Sequence, residues 1–105
     1  MEIKQREKQT DVVQAFFQHQ YPNANVTVGY VTIPAGERLP KEGTTAHHEQ
    51  EYSYVLKGAL KGESGNEPYE INAGEFSYIP AGEPHWCVNE GQEAVELVYA
   101  MVETK

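Results

Sequence analysis

Short runs of alternating hydrophobic and polar residues, separated by turn residues, fill the chain from residue 25 onward. Residues with β-branched or aromatic side chains, which are enriched in strands, dominate each run. The runs fall at 26–33, 51–56, 69–72, 75–80, 85–89 and 94–102, with a shorter one at 59–62. Short strands at this spacing are typical of an all-β sandwich or barrel. The pattern therefore predicts a single all-β domain over residues 25–105.

Two breaks between these runs carry a specific expectation. The segment 34–45, PAGERLPKEGTT, holds two prolines and two glycines and is predicted to be a long loop. The segment 63–68, ESGNEP, has the composition of a hairpin tip between two short strands. The breaks are turn-like, and none has the length or low complexity of a linker between domains.

Residues 1–24 form an N-terminal segment for which two structures remain open. Residues 1–9 are polar and charged, as expected of a loose tail or an edge segment. Thr10 or Asp11 would cap a helix, in which the apolar residues of 12–17 would share one face. The same valines and phenylalanines suit a strand equally well, including one exchanged onto the sheet of a partner chain. The segment is thus predicted to be a short helix or an edge or swapped strand.

Charge and cysteine content narrow the classes of partner and compartment. The chain has 8 Lys and Arg against 16 Asp and Glu, a net charge of -8. This balance argues against nucleic acid and anionic membrane surfaces, which both need clustered basic residues. One cysteine, Cys87, excludes an intrachain disulfide. With no apolar run long enough for a signal peptide or a membrane span, the expectation is a cytoplasmic protein.

Three polar side chains at the beginnings of predicted strands suggest a metal site. His47 and Glu51 lie four residues apart in HHEQE, and on a strand positions 47, 49 and 51 would face one way. His85 begins another strand in the second half of the chain. Two imidazoles and one carboxylate suit divalent iron, and manganese, nickel, copper or zinc would accept them too. The predicted ligands are therefore His47, Glu51 and His85.

The segment GEFSYIPAGEPHWCVN, residues 74–89, carries a longer pattern. It reads G-x5-P-x-G-x2-H-x3-N, with fixed residues Gly74, Pro80, Gly82, His85 and Asn89. The glycines are expected in turns where a side chain would clash, and the proline is expected to end a strand. This segment resembles the second signature motif of the cupin superfamily at every fixed position. The resemblance implies a cupin double-stranded β-helix, that is, a jelly-roll barrel.

The first cupin motif, G-x5-H-x-H-x3,4-E-x6-G, is matched only in its second half, by His47, Glu51 and Gly58. The first histidine of the family pattern falls at Thr45, and its glycine is displaced to Gly43. The resemblance gives His47 the ligand role of the second histidine.

The vacancy at Thr45 leaves several alternatives open. His48 is either a bystander that points away or a substitute ligand, if the backbone bulges there. Glu42 is a further candidate, because the long loop could bring it inward.

The resemblance implies binding of a small organic molecule and leaves two functions open. The first is a metal-dependent enzyme, such as a dioxygenase, isomerase or decarboxylase. The second is a non-catalytic binding or sensor barrel with a degenerate or empty metal site, a reading that the vacancy at Thr45 favours. The intact second motif and the retained Glu51 favour a metal site, since a buried unpaired charge is costly.

Alternation along the strands predicts which other side chains face inward or outward. Cys87 is expected inside with His85, as a small packed side chain. The resemblance also implies a homodimer, for which an apolar outer surface is the candidate interface. Either that outer surface or a second core layer of the sandwich is predicted from Tyr52, Tyr54, Leu56, Trp86 and Val88. The candidate cavity tyrosines are Tyr30, Tyr78 and Tyr99.

Overall fold

A computed structural model describes residues 1–6 and 12–105 of the chain. Within those residues the secondary structure consists of nine strands and no helix, which confirms the all-β prediction. The strands are β1 Val13–Gln20, β2 Ala24–Ile33, β3 Arg38–Leu39, β4 Gln50–Lys57, β5 Ala59–Ser64, β6 Glu67–Asn72, β7 Phe76–Ile79, β8 His85–Val88 and β9 Val95–Thr104. In this part of the chain there is accordingly no helix that could cross a membrane.

The strands form two antiparallel sheets. One has five strands in the order β1-β2-β9-β4-β7, and the other has four in the order β3-β8-β5-β6. Apart from the β1–β2 and β5–β6 hairpins, each strand is followed by a strand of the other sheet. The chain therefore winds back and forth between two layers, which is the connectivity of a jelly roll.

The core lies between the two sheets and is built from alternate residues of their strands. Ile33, Val55 and Val95 are almost completely buried, and Leu60 and Ile71 meet them from the four-stranded sheet. Burying one such aliphatic side chain contributes about 1.5–3 kcal/mol to the free energy of unfolding. This shared core holds the two sheets together and forms the inner wall of the cavity described below.

The predicted hairpin tip at 63–68 is confirmed. Ser64 pairs with Glu67, and the two loop residues between them, Gly65 and Asn66, have φ angles of 58° and 66°. Positive φ at both central residues is the requirement of a type I′ turn, for which glycine and asparagine are favoured. The predicted long loop, by contrast, contains the short strand β3, whose Arg38 and Leu39 pair with Val88 and Cys87.

The N-terminal segment contains a strand and not a helix. Residues 13–20 pair with β2 of the same chain, with a register shift between Ala15 and Phe17. Pairing with the long strand β2 satisfies the backbone and so decides between two local propensities that were nearly equal. The proposed helix caps at Thr10 and Asp11 lie outside the described residues.

The predicted outer surface combines residues of two different sheets, so its grouping is wrong. Tyr52 and Tyr54 lie in the five-stranded sheet, whereas Trp86 and Val88 belong to β8 in the other sheet. Alternation assigns the two faces within each strand, but it cannot tell which sheet a strand joins. The neighbours of Tyr52 and Tyr54 are instead Tyr78 and Phe76, with ring centroids 5.0 and 4.5 Å apart. We call Tyr52, Tyr54, Phe76 and Tyr78 the aromatic outer face.

Candidate functional site

A cavity of about 680 Å³ lies between the sheets, and His47, Glu51 and His85 are among the residues that line it. Nitrogen or oxygen atoms of these three side chains lie within 4.8 Å of one another. The structure thus brings together all three residues that the sequence predicts as ligands. All three are half-buried, so the site is shielded from bulk solvent but open to the cavity.

His47 reaches the site from the loop before β4 and not from the strand itself, which begins at Gln50. The expectation that residues 47, 49 and 51 share a strand face is therefore wrong, although its conclusion about His47 and Glu51 holds. Two backbone contacts position the residue. The ring Nδ1 bonds to the carbonyl oxygen of Glu49 at 3.0 Å, and the His47 carbonyl accepts from the amide of Gly82 at 2.7 Å.

His85 is the first residue of β8 and is held in the same manner. Its Nδ1 bonds to the carbonyl oxygen of Glu83 at 2.8 Å. Its backbone amide and carbonyl pair with those of Thr45, at 2.9 and 3.0 Å. The rings of His47 and His85 meet edge to face, with centroids 5.2 Å apart. The long loop and the β7–β8 turn therefore fix the two imidazoles relative to each other.

The carbonyl partners determine which ring nitrogen of each histidine is free. A carbonyl oxygen can only accept a hydrogen bond, so Nδ1 of His47 and of His85 must carry a proton. In the neutral imidazole the lone pair is then on Nε2. Nε2 of His47 is buried without a hydrogen-bond partner, 3.3 Å from Oε1 of Glu51. With a neutral ring, two acceptors face each other across the site, an arrangement that a bound cation would stabilise; with a protonated ring, the same contact is an ion pair.

The other predicted candidates lie outside this group. His48 is exposed to solvent, as expected for a bystander whose neighbour points inward. Glu42 is exposed in the long loop, and that loop does not carry it to the cavity. Thr45 lies at the cavity edge, where its backbone pairs with His85. Among the described residues the group of candidate ligands therefore has three members and no substitute for the first histidine of the family pattern.

The remaining fixed residues of the second motif shape the backbone around His85. Gly74 and Gly82 have φ angles of 89° and 80°, a region that other residues rarely adopt. Nothing would lie within 4 Å of a Cβ added at either position, so the expected clash is wrong and backbone conformation is the reason for glycine.

Asn89 is the buried polar residue of the second motif, only 1% exposed. Its Nδ2 donates to the carbonyls of Ile33 and Glu93 at 2.9 and 2.8 Å, and its Oδ1 accepts from the amide of Gly91 at 2.9 Å. A buried side chain with all of these bonds is satisfied within the protein. Asn89 therefore holds the segment after β8 against the end of β2 and does not act in the site.

Cys87 faces the cavity, as predicted. Burial, and then the negative charge of Glu51, raise the pKa of its thiol to about 11. The thiol is therefore neutral near pH 7 and behaves as a small apolar side chain.

Of the three tyrosines predicted to line the cavity, Tyr78 and Tyr99 do so and Tyr30 does not. Tyr99 lines the cavity, and burial followed by the charge of Glu51 raises its pKa. Tyr30 does not, since its hydroxyl donates to Glu96 at 2.9 Å under the guanidinium of Arg6. Tyr78 is also part of the cavity lining, and its ring lies beside that of Tyr52 on the aromatic outer face. Tyr69 lines the cavity without having been predicted, because its short strand shows too few alternations to assign a face.

Comparison with protein families identifies the class. The family model described as the Cupin domain matches residues 29–101, which contain both motifs and the three candidate ligands. The chain therefore belongs to the cupin family, as its motifs indicated. A search of curated proteins finds no match.

Solved structures share the fold at low sequence identity. The cupin domain of Cnp3 from Schizosaccharomyces pombe has a TM-score of 0.74 and 21% identity, over 89% of this chain and 64% of that one. An RmlC-like cupin with a double-stranded β-helix fold from Methanocaldococcus jannaschii has a TM-score of 0.72 and 18% identity, over 92% and 84%. An oxalate oxidase has a TM-score of 0.62 and 26% identity, over 72% and 41%. The chain thus has the double-stranded β-helix fold and spans less than two thirds of the first and third of these proteins.

Proposed function

We propose that this cupin holds one divalent transition metal through His47, Glu51 and His85 and binds a small organic molecule in the adjoining cavity. The observation that carries the proposal is the buried Nε2 of His47, which has no hydrogen-bond partner and faces Oε1 of Glu51 at 3.3 Å. A buried polar atom left without a partner costs about 1–3 kcal/mol. A cation between these atoms would remove that cost and the repulsion between the two acceptors.

The donor set supports a transition metal. Two imidazoles and one carboxylate are a donor set used in iron(II) sites with positions left for a ligand, and manganese, nickel, copper and zinc accept the same donors. The hydrogen bonds from Nδ1 to the Glu49 and Glu83 carbonyls match the outer-shell contacts that orient metal-binding histidines. A bound metal would supply Lewis-acid polarisation of a ligand oxygen. The residues present therefore fit the metal that the family implies.

In any reaction, the protein itself would hold the imidazoles in position and exclude water from the cavity. The backbone pairing of Thr45 with His85 and the bond from Gly82 to His47 hold the imidazoles in place before a ligand arrives. Buried aliphatic residues such as Ile33 and Val55 line the inner cavity and keep bulk water from a bound molecule. Burial, and to a smaller extent the charge of Glu51, raise the pKa values of the cavity groups Tyr69, Cys87 and Tyr99.

One observation favours a second candidate, a non-catalytic binding or sensor barrel. The family position of the first histidine is Thr45, whose backbone is engaged by His85, and no other described residue takes its place. A barrel of this kind would still bind a small molecule, but it would hold metal weakly or not at all. Metal affinity therefore distinguishes the two candidates directly.

The test is calorimetric titration of the metal-free protein with Mn²⁺ and Zn²⁺. Removal of an outer-shell partner already costs 10–100-fold in metal affinity, so Glu51→Gln, which removes a ligand charge, should lower it by about 100-fold or more. His48→Ala is the matched control, because His48 adjoins the site in sequence but is exposed. Equal losses in both variants would contradict the assignment of ligands, and absence of binding to the wild type would favour the non-catalytic candidate.

We also propose that a second copy of the chain binds the aromatic outer face. The proposal is supported by the solvent exposure of two of its side chains, 79% for Phe76 and 53% for Tyr78. Both residues lie on β7, at the edge of the five-stranded sheet. Contiguous exposed aromatic side chains of this kind mark interaction surfaces on soluble proteins.

A further inference from the structure

We propose that the ligand's body, beyond the end that reaches His47, Glu51 and His85, is uncharged and mainly apolar, so that the cavity excludes phosphate esters and dicarboxylic acids. The inference rests on the proposed function in one respect, that the ligand's polar end lies beside the metal. It goes further in naming the chemical class of the ligand. Three features of the cavity wall carry it.

The first feature is the sign of the charges that line the cavity. The lining contains the half-buried carboxylates Glu51 and Glu83 and, at its exposed rim, Glu67, Glu70 and Glu75. Within residues 1–6 and 12–105, no lysine or arginine belongs to the lining. Inside the cavity, a second anionic group on the ligand would therefore meet Glu51 and Glu83 and no lysine or arginine, so that only the metal would offset its charge. Binding sites for phosphate and carboxylate groups use arginine or lysine to compensate that charge.

The second feature is where the basic side chains lie instead. The guanidinium of Arg38 stacks over Trp86 at 4.4 Å and donates to the carbonyls of Pro40 and Gly43, on the outer side of the four-stranded sheet. Arg6 pairs with Glu96, and Lys61 with Glu90, at 2.9 and 3.5 Å. These cations are engaged away from the cavity, and a simple side-chain rotation would not bring Arg38 inside without breaking its contacts.

The third feature is the loss of polarity with depth. The inward residues of β4 are in turn Glu51, Ser53 and the fully buried Val55, which is 0% exposed. The paired residues of β9 repeat the trend, with Tyr99 beside Ser53 and Leu97 beside Val55. A molecule that reaches inward from the metal site therefore meets first hydroxyl groups and then hydrocarbon.

The hydroxyl layer is suited to uncharged oxygens. Ser53 and Ser77 hydrogen-bond to each other across β4 and β7, and Tyr99 lies in register with Ser53. Burial and the charge of Glu51 raise the pKa of Tyr99, so its hydroxyl remains protonated. Neutral hydroxyls can bond to an alcohol or carbonyl oxygen, but they do not offset the desolvation of a full charge. The wall therefore accepts an apolar body with uncharged polar groups near one end.

The test compares two probes that share a metal-binding end. 4-Methylcatechol and 3,4-dihydroxybenzoate carry the same diol and differ by a methyl group against a carboxylate at the opposite side. Calorimetric titration of the zinc-loaded protein should show the neutral probe binding roughly tenfold tighter or more, because like charges facing each other in an interface are strongly unfavourable. Equal or tighter binding of the acid, or binding of neither probe, would overturn the inference.

Charge reversal at the cavity edge provides a second readout. Glu67→Lys should reduce the difference in binding affinity between the two probes, since Glu67 is exposed and lines the cavity. Glu93→Lys is the matched control, because Glu93 is exposed and outside the lining. Equal effects of the two substitutions would count against the inference. If zinc fails to bind, the proposed metal function fails, and the same comparison in the metal-free protein decides the inference about the cavity wall separately.

Discussion

Replacing Asn89 by alanine should destabilise the protein without changing its metal affinity. The buried amide makes two donor bonds, to the carbonyls of Ile33 and Glu93, and one acceptor bond from the Gly91 amide. At about 1 kcal/mol net for each hydrogen bond, the substitution should lower the free energy of unfolding by about 3 kcal/mol. Domains of this size have about 5–15 kcal/mol in total, so the variant should remain folded.

Urea denaturation followed by circular dichroism measures the loss. With a slope of about 1.5 kcal/mol per molar urea, the midpoint should fall by about 2 M. The control is Gln92→Ala, since Gln92 is exposed in the same segment and should change the midpoint little. Calorimetric titration then compares metal affinity with the wild type. A loss of stability below about 1 kcal/mol, the value of a single bond, would refute the structural role. A drop in metal affinity as large as that of Glu51→Gln would refute the claim that Asn89 lies outside the site.

Two further predictions concern Cys87 and the aromatic outer face. Because the pKa of the Cys87 thiol is raised from 9.0 to about 11, its protonated form contributes stability that is present below pH 9 and is lost as the pH rises to about 11. The urea midpoints measured at pH 8 and at pH 10.5 should therefore differ less in Cys87→Val than in the wild type. An equal difference in the two proteins would argue against the raised pKa. Light scattering should show a dimer for the wild type and a monomer for Phe76→Glu. The control Gln18→Glu, at an exposed position of β1, should remain a dimer. A monomeric wild type would exclude this interface.

Most of the fold follows from local patterns, and the exceptions have physical reasons. The alternating runs predicted β2 and β4 to β9, and the composition of residues 63–68 predicted the hairpin between β5 and β6. The strand β3 has two residues and is defined only by its pairing with β8, so no periodicity could reveal it. The choice between helix and strand at 13–20 was likewise made by pairing with β2, a contact between distant residues.

The candidate site was predictable because its spacing belongs to a family pattern. His47, Glu51 and His85 were identified from the two motifs, and the structure places them together. The position of His47 before the strand was not predictable from alternation, since it depends on the bonds from its ring to Glu49 and from Gly82 to its carbonyl. The wrong prediction for Tyr30 arose because β2 buries Val31 and Ile33 on its inner side, so that Tyr30 points the other way and bonds to Glu96.

The most direct test of the account is the metal content of the purified, tag-free protein, counted per chain by elemental analysis. The account predicts close to one equivalent of iron, manganese, nickel, copper or zinc in the wild type and a large reduction in Glu51→Gln. A wild-type protein that stays empty after incubation with each of these metals would contradict it. A proton on Nε2 of His47, and not a metal ion, would then account for the close approach of this atom to Glu51.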